Sequence, residues 1–304
     1  MRGLIRRMKA AIVARPWALT SLAAVHGSTR GCAVVRRSDR YVVKKGRREI
    51  HLALRHGVYV FETAGRFDRC FGAVRPERIG DAEVADFSTP KIHHVPWLGA
   101  DLLYTSLGEE EADVVAYLRR LAPAIGDVVL DIGAYCGATA CAFSKAVGPS
   151  GRVIAVEADP MNHRALAANM ERLGLANVEP VPAAVWSSSG TLRFAAEGAL
   201  GSAATVLGPR DAATVEVAAL SLDDLCERLD LRRVDHVKMD IEGAEYEVLP
   251  ASRAFFERFR PKVVLEIHKT RVGVVDLPAV RRFFEDLGYV VERDIDNLVY
   301  GRPG

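Results

Sequence analysis

The sequence predicts an α/β fold: a largely parallel β-sheet with helices on both faces, preceded by a smaller β-rich region. From Asp127 onward, short apolar segments of strand length alternate with segments whose apolar residues recur at helical spacing. Those apolar segments are nearly continuous, which is typical of strands that are covered on both faces. Between residues 31 and 80, by contrast, apolar and polar residues alternate in short runs, which favours antiparallel hairpins.

The β-rich region contains four such runs, separated by turn-forming residues: C-A-V-V-R-R, R-Y-V-V-K, R-E-I-H-L-A-L and G-V-Y-V-F-E-T. Residues 81–108 contain Pro90, Pro96 and two glycines without a clear period, so we expect mostly a long connection there. A helix is predicted over 109–122, because its apolar residues have helical spacing, acidic residues stand at its start and two arginines near its end.

The α/β region begins after that helix. Its best-marked helix is 160–173, with Asp159 as the predicted N-cap, Pro160 at the first helical position and Gly174 just past the end. Other helices are expected at 137–146, 222–229, from about 243, and across 278–287, and a hairpin at 191–219. The predicted sheet strands are V-V-L-D-I-G, R-V-I-A-V-E, V-E-P-V-P-A-A-V, D-H-V-K-M-D, K-V-V-L-E-I-H, Y-V-V-E-R and N-L-V-Y-G.

The composition is that of an ordinary globular protein, with 49% hydrophobic and 26% charged residues in 304, which excludes disorder and collagen. The five cysteines form no C-x-x-C pair and no zinc-type spacing with histidine. This cysteine usage favours a reducing compartment, so a cytoplasmic location is expected.

Charge is distributed unevenly along the chain. Residues 1–80 contain 18 Lys and Arg against five Asp and Glu, whereas the remainder contains 23 against 34. The first 30 residues are a basic segment that could be helical, but Arg15 and Pro16 interrupt its apolar run, so neither a secretion signal nor a membrane span is expected. A weak contact of this segment with the inner face of a membrane is the alternative that its charge allows.

The first chemically informative segment is V-L-D-I-G-A-Y-C-G, which leaves a strand and enters a helix. Its candidate ligand-binding residues are Asp131, Gly133, Ala134, Tyr135 and Gly137. The glycines allow backbone to approach a ligand at the carboxyl edge of the sheet, where open α/β folds bind ligands. A dinucleotide site would need three glycines as G-x-G-x-x-G, and its diphosphate would be repelled by a neighbouring carboxylate. S-adenosylmethionine, a sulfonium with an amino-acid tail, fits better.

Glu157 ends the next predicted strand, 26 residues after Asp131. An acidic side chain there can accept hydrogen bonds from both hydroxyls of a ribose. Because dinucleotide folds use an acid in the same way, Glu157 supports a nucleoside ligand without identifying which one.

The second informative segment is V-K-M-D-I-E-G-A-E-Y-E-V-L. It places Lys238, Asp240, Glu242 and Glu245 at the exit of a strand and in the first turn of a helix. Acids in a first turn complement the helix dipole, which suffices for Glu245 and the neighbouring Glu247. The helix dipole explains Asp240 and Glu242 poorly, so we predict functional roles for these two residues.

The third segment, V-V-L-E-I-H, ends in Glu266 and His268. Two residues apart on a strand, they would point to the same face. A histidine at a strand end beside an acid is a candidate general base, because imidazole titrates near neutral pH and a carboxylate can fix its tautomer.

Together these segments resemble the FkbM family of S-adenosylmethionine-dependent methyltransferases. The resemblance covers about residues 127–268 and includes G-T-L-R-F and V-E-V-A-A-L-S-L-D-D-L between the first and second segments; D-x-E-G-x-E is its most specific part. It implies a Rossmann-like, seven-stranded class I methyltransferase sheet, to which the alternating runs add a small N-terminal β-rich extension; the resemblance itself does not cover residues 1–105. It also implies O-methylation of a hydroxyl on a carbohydrate, glycolipid or related natural product. The family loop often carries Asn where Tyr135 stands.

The expected domain organisation combines the charge and strand patterns with that resemblance. Residues 1–30 are the basic segment, 31–108 a β-rich extension on the acceptor side, and 109–304 the S-adenosylmethionine-binding methyltransferase domain. The expected partner is a small-molecule or glycan acceptor, with sugar contacts predicted from residues of the extension: Lys91, His93, His94 and Trp97.

Two routes could remove the acceptor proton. In the favoured one, His268 is the general base and Glu266 orients it, while Asp240 and Glu242 complete the catalytic group and Asp240 also contacts the cofactor. In the other, Asp240 and Glu242, optionally with His268, bind a divalent ion, which the hard oxygen ligands would make Mg²⁺.

Two other functions compete with O-methylation. The basic N-terminal region could indicate a nucleic-acid methyltransferase, but M-D-I-E-G offers no aromatic residue to stack a flipped base, so no nucleic-acid partner is expected. A non-catalytic binding protein that retains the methyltransferase fold is the third interpretation, and the joint presence of Asp131, Glu157, Asp240 and His268 argues against it.

Overall fold

A computed structural model describes residues 16–196, 198, 203–204, 214–268, 275–293 and 298–304. Half of the basic segment predicted for 1–30 therefore lies outside the described residues. The chain forms two compact units, the first ending at Glu111 and the second beginning at Ala112.

The first unit combines short strands and helices. Its elements are α1 (Pro16–Ser28), β1 (Ala33–Arg36), β2 (Arg40–Lys45), β3 (Arg48–Ala53), α2 (Tyr59–Gly65), α3 (Phe67–Gly72), β4 (Glu77–Ile79), β5 (Ala82–Phe87), β6 (Lys91–Val95) and β7 (Ala100–Tyr104). One sheet has the order β1-β2-β3-β5-β4, and β6 pairs with β7 as a separate hairpin. The antiparallel pairing predicted for the first three runs is confirmed by β1, β2 and β3.

Two predictions for this unit are wrong. The run G-V-Y-V-F-E-T lies largely in α2 instead of a strand, because Val60, Thr63 and Ala64 are buried at helical spacing. Residues 81–108 form three strands instead of a long connection. Pro90 and Pro96 lie just outside the ends of β6, so they mark turns between short strands.

The predicted sugar contacts lie on or next to β6, and His93 is not accessible there. Its ring is buried against Phe87 and Tyr104, with centroids 4.9 and 6.4 Å away. Burial lowers the pKa of His93 to about 4, so it belongs to the core of this unit as a neutral ring. His94 pairs through Nδ1 with Asp101 at 2.8 Å.

Helix α1 packs one face against β1 and exposes another. Leu19 and Ala23 are buried, whereas Trp17, Leu22 and Val25 are 69, 45 and 64% exposed. Within the described part of the chain, none of the helices is both long and apolar enough to cross a bilayer.

The second unit alternates strands and helices, as predicted. Helix α4 (Glu111–Leu121) begins at the boundary and is followed by β8 (Val128–Ile132), α5 (Ala138–Val147), β9 (Arg152–Glu157), α6 (Pro160–Arg172), β10 (Val178–Pro182), β11 (Ala184–Val185), β12 (Gly190–Ala195), β13 (Ala203–Ala204), β14 (Thr214–Leu220), α7 (Leu222–Arg228), β15 (His236–Met239), α8 (Glu245–Ala251), α9 (Arg253–Phe259), β16 (Lys262–Glu266), α10 (Leu277–Glu285), β17 (Tyr289–Arg293) and β18 (Leu298–Pro303).

Across the described residues, the main sheet has seven strands in the order β10-β9-β8-β15-β16-β18-β17. Pairing is parallel from β10 to β16, and β18 runs antiparallel to both β16 and β17. The predicted Rossmann-like, seven-stranded α/β fold is therefore confirmed. The predicted hairpin is also present, since β12 pairs antiparallel with β14 in a second, smaller sheet.

The strand order brings the predicted site residues to one edge. Gly133 follows β8, Glu157 ends β9, Asp240 follows β15 and His268 lies two residues beyond β16. Because β9, β8, β15 and β16 are successive neighbours about 4.8 Å apart, their carboxyl ends form one continuous rim.

Candidate active site

The turn after β8 presses directly against the exit of β15. Gly133 has a φ of +80°, and a Cβ there would overlap the carbonyl oxygen of Asp240. Asp240 in turn donates its N–H to the carbonyl of Ile132 at 3.0 Å. Glycine at 133 is therefore required both by the left-handed conformation and by the close approach of Asp240.

The rest of this turn is fixed by backbone hydrogen bonds. Gly133 and Ala134 both donate to the carbonyl of Val156, at 2.9 and 3.0 Å. Tyr135 has a φ of +49°, in the left-handed region that Asn adopts more easily than Tyr. Tyr135 thus has the left-handed conformation that suits Asn, the residue often found at this position in the family that the sequence resembles. Gly137, at +94°, leads into α5.

Glu157 holds this turn from the neighbouring strand. Its Oε2 accepts the N–H of Tyr135 at 2.9 Å, and its Oε1 accepts the N–H of Asp159 at 2.8 Å. The side chain is only 7% exposed, and this burial raises its pKa to about 8. Glu157 therefore lies beside the glycine turn, as the sequence predicts for a ribose-binding acid.

Asp131 and Lys238 form a buried ion pair behind the turn. Lys238 Nζ lies 3.3 Å from Asp131 Oδ1 and donates to the carbonyl of Gly133 at 2.7 Å. Burial raises the pKa of Asp131 against the opposing charge of Lys238. Oδ2 of Asp131 is buried and has no hydrogen-bond partner among the described residues, so it keeps spare acceptor capacity.

Asp240, Glu242 and His268 converge at the exits of β15 and β16. His268 Nε2 lies 3.6 Å from Asp240 Oδ1 and 3.8 Å from Glu242 Oε2. One ligand atom from each of the three residues falls within 4.8 Å of the others. Glu242 has a φ of +55°, a conformation uncommon for a glutamate, and it is followed by Gly243 at +97°.

Glu245, whose position the sequence pattern explained by the helix dipole alone, is part of this group. Its side chain is fully buried, and Oε1 lies 3.1 Å from both the N–H of Ile241 and Nδ1 of His268. Its place in D-x-E-G-x-E was a signal, but burial in the first turn of α8 could not be read from the sequence.

Glu266 does not orient His268, so this prediction is wrong. Its Oε2 accepts a hydrogen bond from the hydroxyl of Tyr117 at 3.0 Å, while Glu245 takes the position beside the imidazole. The rule that residues two apart share a face holds only within a strand, and β16 ends at Glu266. Tyr117, on α4, was not predicted because it is distant in sequence and contacts Glu266 only in the folded chain.

The carboxylates around His268 control its proton. Burial by itself would lower the pKa of His268, but the hydrogen bond with Glu245 and the charges of Glu242 and Asp240 outweigh it and raise the pKa to about 10. Burial, together with the charges of Asp240 and Glu245, raises the pKa of Glu242 to about 8, against the charge of His268. The raised pKa favours the protonated form of His268, and its role as the general base stays a prediction.

The arrangement can hold a hydrogen-bond donor or a cation between the three converging side chains. Distances of 3.6 and 3.8 Å are longer than hydrogen bonds, so the side chains face one another across a gap. Two carboxylates and an imidazole in such an arrangement can bind an acceptor hydroxyl, take up its proton or coordinate a divalent ion.

The sequence matches the model of the methyltransferase FkbM domain over residues 131–291, just over half of the chain. The chain belongs to the FkbM methyltransferase family. The match covers the glycine turn, Glu157, the Asp240–Glu245 segment and His268, so the FkbM domain contains the whole of the candidate site.

Solved structures with a similar chain path include the FkbM methyltransferase of Methylobacillus flagellatus KT, with 16% identity and a TM-score of 0.43 over 58% of this chain and 43% of that one. The precorrin-6y C5,15-methyltransferase of Geobacter metallireducens GS-15 has 18% identity and a TM-score of 0.41. That match covers 64% of this chain and 89% of that one. Aeropyrum pernix fibrillarin, solved with natively bound S-adenosyl-L-methionine, has 15% sequence identity and a TM-score of 0.40. That match covers 89% of this chain and 97% of the fibrillarin chain. The chain thus spans less than half of the length of the M. flagellatus protein. No curated protein matches the sequence.

Substituting Gly133 tests the contact between the two strand exits. Gly133 and Gly174 both have a left-handed backbone, so substitution by alanine at either position costs about 1–2 kcal/mol of stability. Of the two added Cβ atoms, only the one at 133 meets other atoms. We expect Gly133→Ala to lower the Tm and to abolish adenosylhomocysteine binding in calorimetry, whereas Gly174→Ala binds as the parent does. Parental affinity in Gly133→Ala would show that the nucleoside ligand binds elsewhere.

Proposed function

We propose that this FkbM methyltransferase transfers a methyl group from S-adenosylmethionine to a hydroxyl of a carbohydrate, glycolipid or related natural product. The observation that carries the proposal is the convergence of Asp240, Glu242 and His268 one strand away from the glycine turn. A hydroxyl between these side chains would lie beside the edge where the nucleoside ligand is expected.

The residues at the glycine turn fit the chemistry of S-adenosylmethionine. Glu157 presents a carboxylate at the end of β9 that can accept ribose hydroxyls, and the turn of Gly133 allows close approach of backbone. The unpartnered Oδ2 of Asp131 could accept from the ammonium group of the amino-acid tail. Bound there, S-adenosylmethionine supplies an electrophilic methyl group on a positively charged sulfur.

The converging side chains supply the orientation and the proton acceptor. Methyl transfer requires the acceptor oxygen to lie in line with the methyl carbon and sulfur, so much of the catalysis is positioning. His268 can orient the acceptor oxygen, while Asp240, or Glu242 in its ionised form, can take up the proton of that oxygen. Coordination of Mg²⁺ by the same three residues is the second route, since their ligand atoms lie within 4.8 Å of one another.

Mass spectrometry with deuterated-methyl S-adenosylmethionine tests the reaction. We expect label on a hydroxyl of a glycan or glycolipid fraction, and a rate about 10²–10⁴ lower in Glu242→Gln with unchanged adenosylhomocysteine affinity. Turnover should survive EDTA, because the side chains alone can take the proton.

Other outcomes of this experiment identify the alternatives. Activity lost with EDTA and restored by Mg²⁺ would establish the metal route. Label on RNA or DNA would establish the nucleic-acid alternative, and binding without label in any fraction would establish a non-catalytic role.

The pH dependence of ligand binding tests the role of Glu157. Burial raises its pKa to about 8, so the free protein holds this carboxyl largely protonated at pH 7. Ribose hydroxyls donate to the ionised form, so adenosylhomocysteine affinity should rise with pH, approaching about tenfold per pH unit well below pH 8 and levelling above it. In Glu157→Gln, calorimetry should show weaker binding without this rise; a rise equal to that of the parent would assign the titration to another group.

We also propose that α1 contacts an anionic membrane surface. Trp17, Leu22 and Val25 are exposed on a helix without Asp, Glu, Lys or Arg, and no acidic residue precedes Asp39 in the chain. Exposed Trp beside a basic segment is the combination that binds anionic bilayers at their interface. The basic residues that precede α1 are Arg2, Arg6, Arg7, Lys9 and Arg15.

Vesicle flotation tests this contact. The protein should float with phosphatidylglycerol-containing vesicles at low salt, less at high salt, and not with phosphatidylcholine alone. Trp17→Ser with Val25→Ser should abolish flotation, and Ile125→Ser, which removes an apolar residue that is 70% exposed in the second unit, should not. If light scattering shows dimers that the double change disrupts, and the protein does not float with vesicles, the exposed face of α1 would instead contact a second copy of the chain.

A further inference from the structure

We propose that Glu245 is a positioning residue that fixes the imidazole of His268 so that Nε2 faces Asp240 and Glu242. The proposal rests on the proposed function, because it assigns Nε2 as the ring nitrogen that meets the acceptor. Glu245 itself does not touch the acceptor in this scheme; it acts through His268.

The helix dipole does not account for a buried glutamate. Favourable interaction with the start of α8 is available to an exposed acid, and Glu247 in the same first turn is exposed. Glu245 is fully buried, and a buried carboxylate is stable only with partners that compensate its lost hydration. Its partners therefore indicate its role.

Both partners of Glu245 belong to the candidate site. Oε1 accepts the N–H of Ile241, between Asp240 and Glu242, and lies 3.1 Å from Nδ1 of His268. One carboxylate oxygen thus joins the loop after β15 to the segment after β16. The next residue, Tyr246, donates its hydroxyl to the backbone carbonyl of His268 at 3.0 Å, so α8 holds both the backbone and the ring of this histidine.

The hydrogen bond determines which ring nitrogen carries a proton. An ionised carboxylate can only accept, so Nδ1 of His268 must be protonated in both the neutral and the charged ring. Nε2 is then the nitrogen whose state can change, and it is the one that lies 3.6 and 3.8 Å from Asp240 and Glu242. A carboxylate behind a functional histidine holds such rings in other enzymes by the same physical means.

The charged groups around the ring come from three elements. Glu245 approaches from α8, Asp240 and Glu242 from the loop after β15, and Glu266 from the end of β16. Of these four carboxylates, only Glu245 is hydrogen-bonded to the ring in the described part of the chain. Removing the carboxylate of Glu245 therefore removes the hydrogen bond that orients His268, while the other carboxylates remain.

Kinetics of Glu245→Gln, Glu247→Gln and His268→Gln in the full-length protein test the proposal. We expect Glu245→Gln to lower kcat by about 10–100-fold with KM for the acceptor and adenosylhomocysteine affinity within about threefold. The limb of the pH–rate profile that His268→Gln removes should move to lower pH. Glu247→Gln, from the same helical turn, should match the parent in every measurement.

Combining Glu245→Gln with His268→Gln separates positioning from folding. If Glu245 acts through His268, the double variant should be no slower than His268→Gln alone. Additive losses, or weaker adenosylhomocysteine binding with an unmoved pH profile, would show that Glu245 is only structural.

A spectroscopic measurement on the parent keeps the test decisive if Glu245→Gln does not fold. Nitrogen-15 NMR of histidine-labelled protein, assigned with His268→Gln, should show Nδ1 of His268 protonated across the pH range of activity. A neutral ring protonated on Nε2 alone would overturn the proposal. An Nδ1-protonated ring in a protein that methylates no hydroxyl would refute the proposed function and leave the positioning intact.

Discussion

The contact between the exits of β8 and β15 is the constraint on which the site depends. Gly133 leaves no room for a side chain against the carbonyl of Asp240, and Lys238 ties the same two strands together through Asp131. Because the turn at Gly133 cannot move away from Asp240, the glycine turn and the acidic cluster are held one strand spacing apart. Transfer between two bound molecules needs such a fixed separation more than it needs any single reactive group.

Buried negative charge is the second property that unites the site. Glu157, Glu245 and Asp131 are all buried: Glu157 and Glu245 each accept a backbone N–H, and Asp131 lies beside Lys238. Among the described residues, Oε2 of Glu245 and Oδ2 of Asp131 have no hydrogen-bond partner. The carboxyl groups along this edge outnumber their cationic partners, Lys238 and His268. The surplus favours ligands that carry positive charge or hydrogen-bond donors, which describes both a sulfonium and a hydroxyl.

Much of the fold could be predicted from the sequence because the second unit buries nearly continuous apolar strands. The run at Tyr59–Gly65 could not, since in seven residues the same apolar positions fit a strand and a helix, and packing in the first unit decides between them. The residues that leave the strand ends could be predicted as a group from their shared edge. Their pairing could not: Glu245 and Glu266 differ in burial and hydrogen bonding through α8 and Tyr117, which a linear pattern does not contain.

The two halves of the site are built by the same device. Glu157 accepts the N–H of Tyr135, and Glu245 accepts the N–H of Ile241, so each buried acid holds a turn that contains a non-glycine residue in the left-handed region. Such a conformation persists only where its surroundings over-determine it. Each glutamate keeps further lone pairs on its carboxylate oxygens. Glu245 uses one of them for the imidazole of His268, and Glu157 has them available for a ligand. The acids that shape the turns are therefore also the groups that a molecule in the proposed site would meet, so substitutions here would affect geometry and chemistry together.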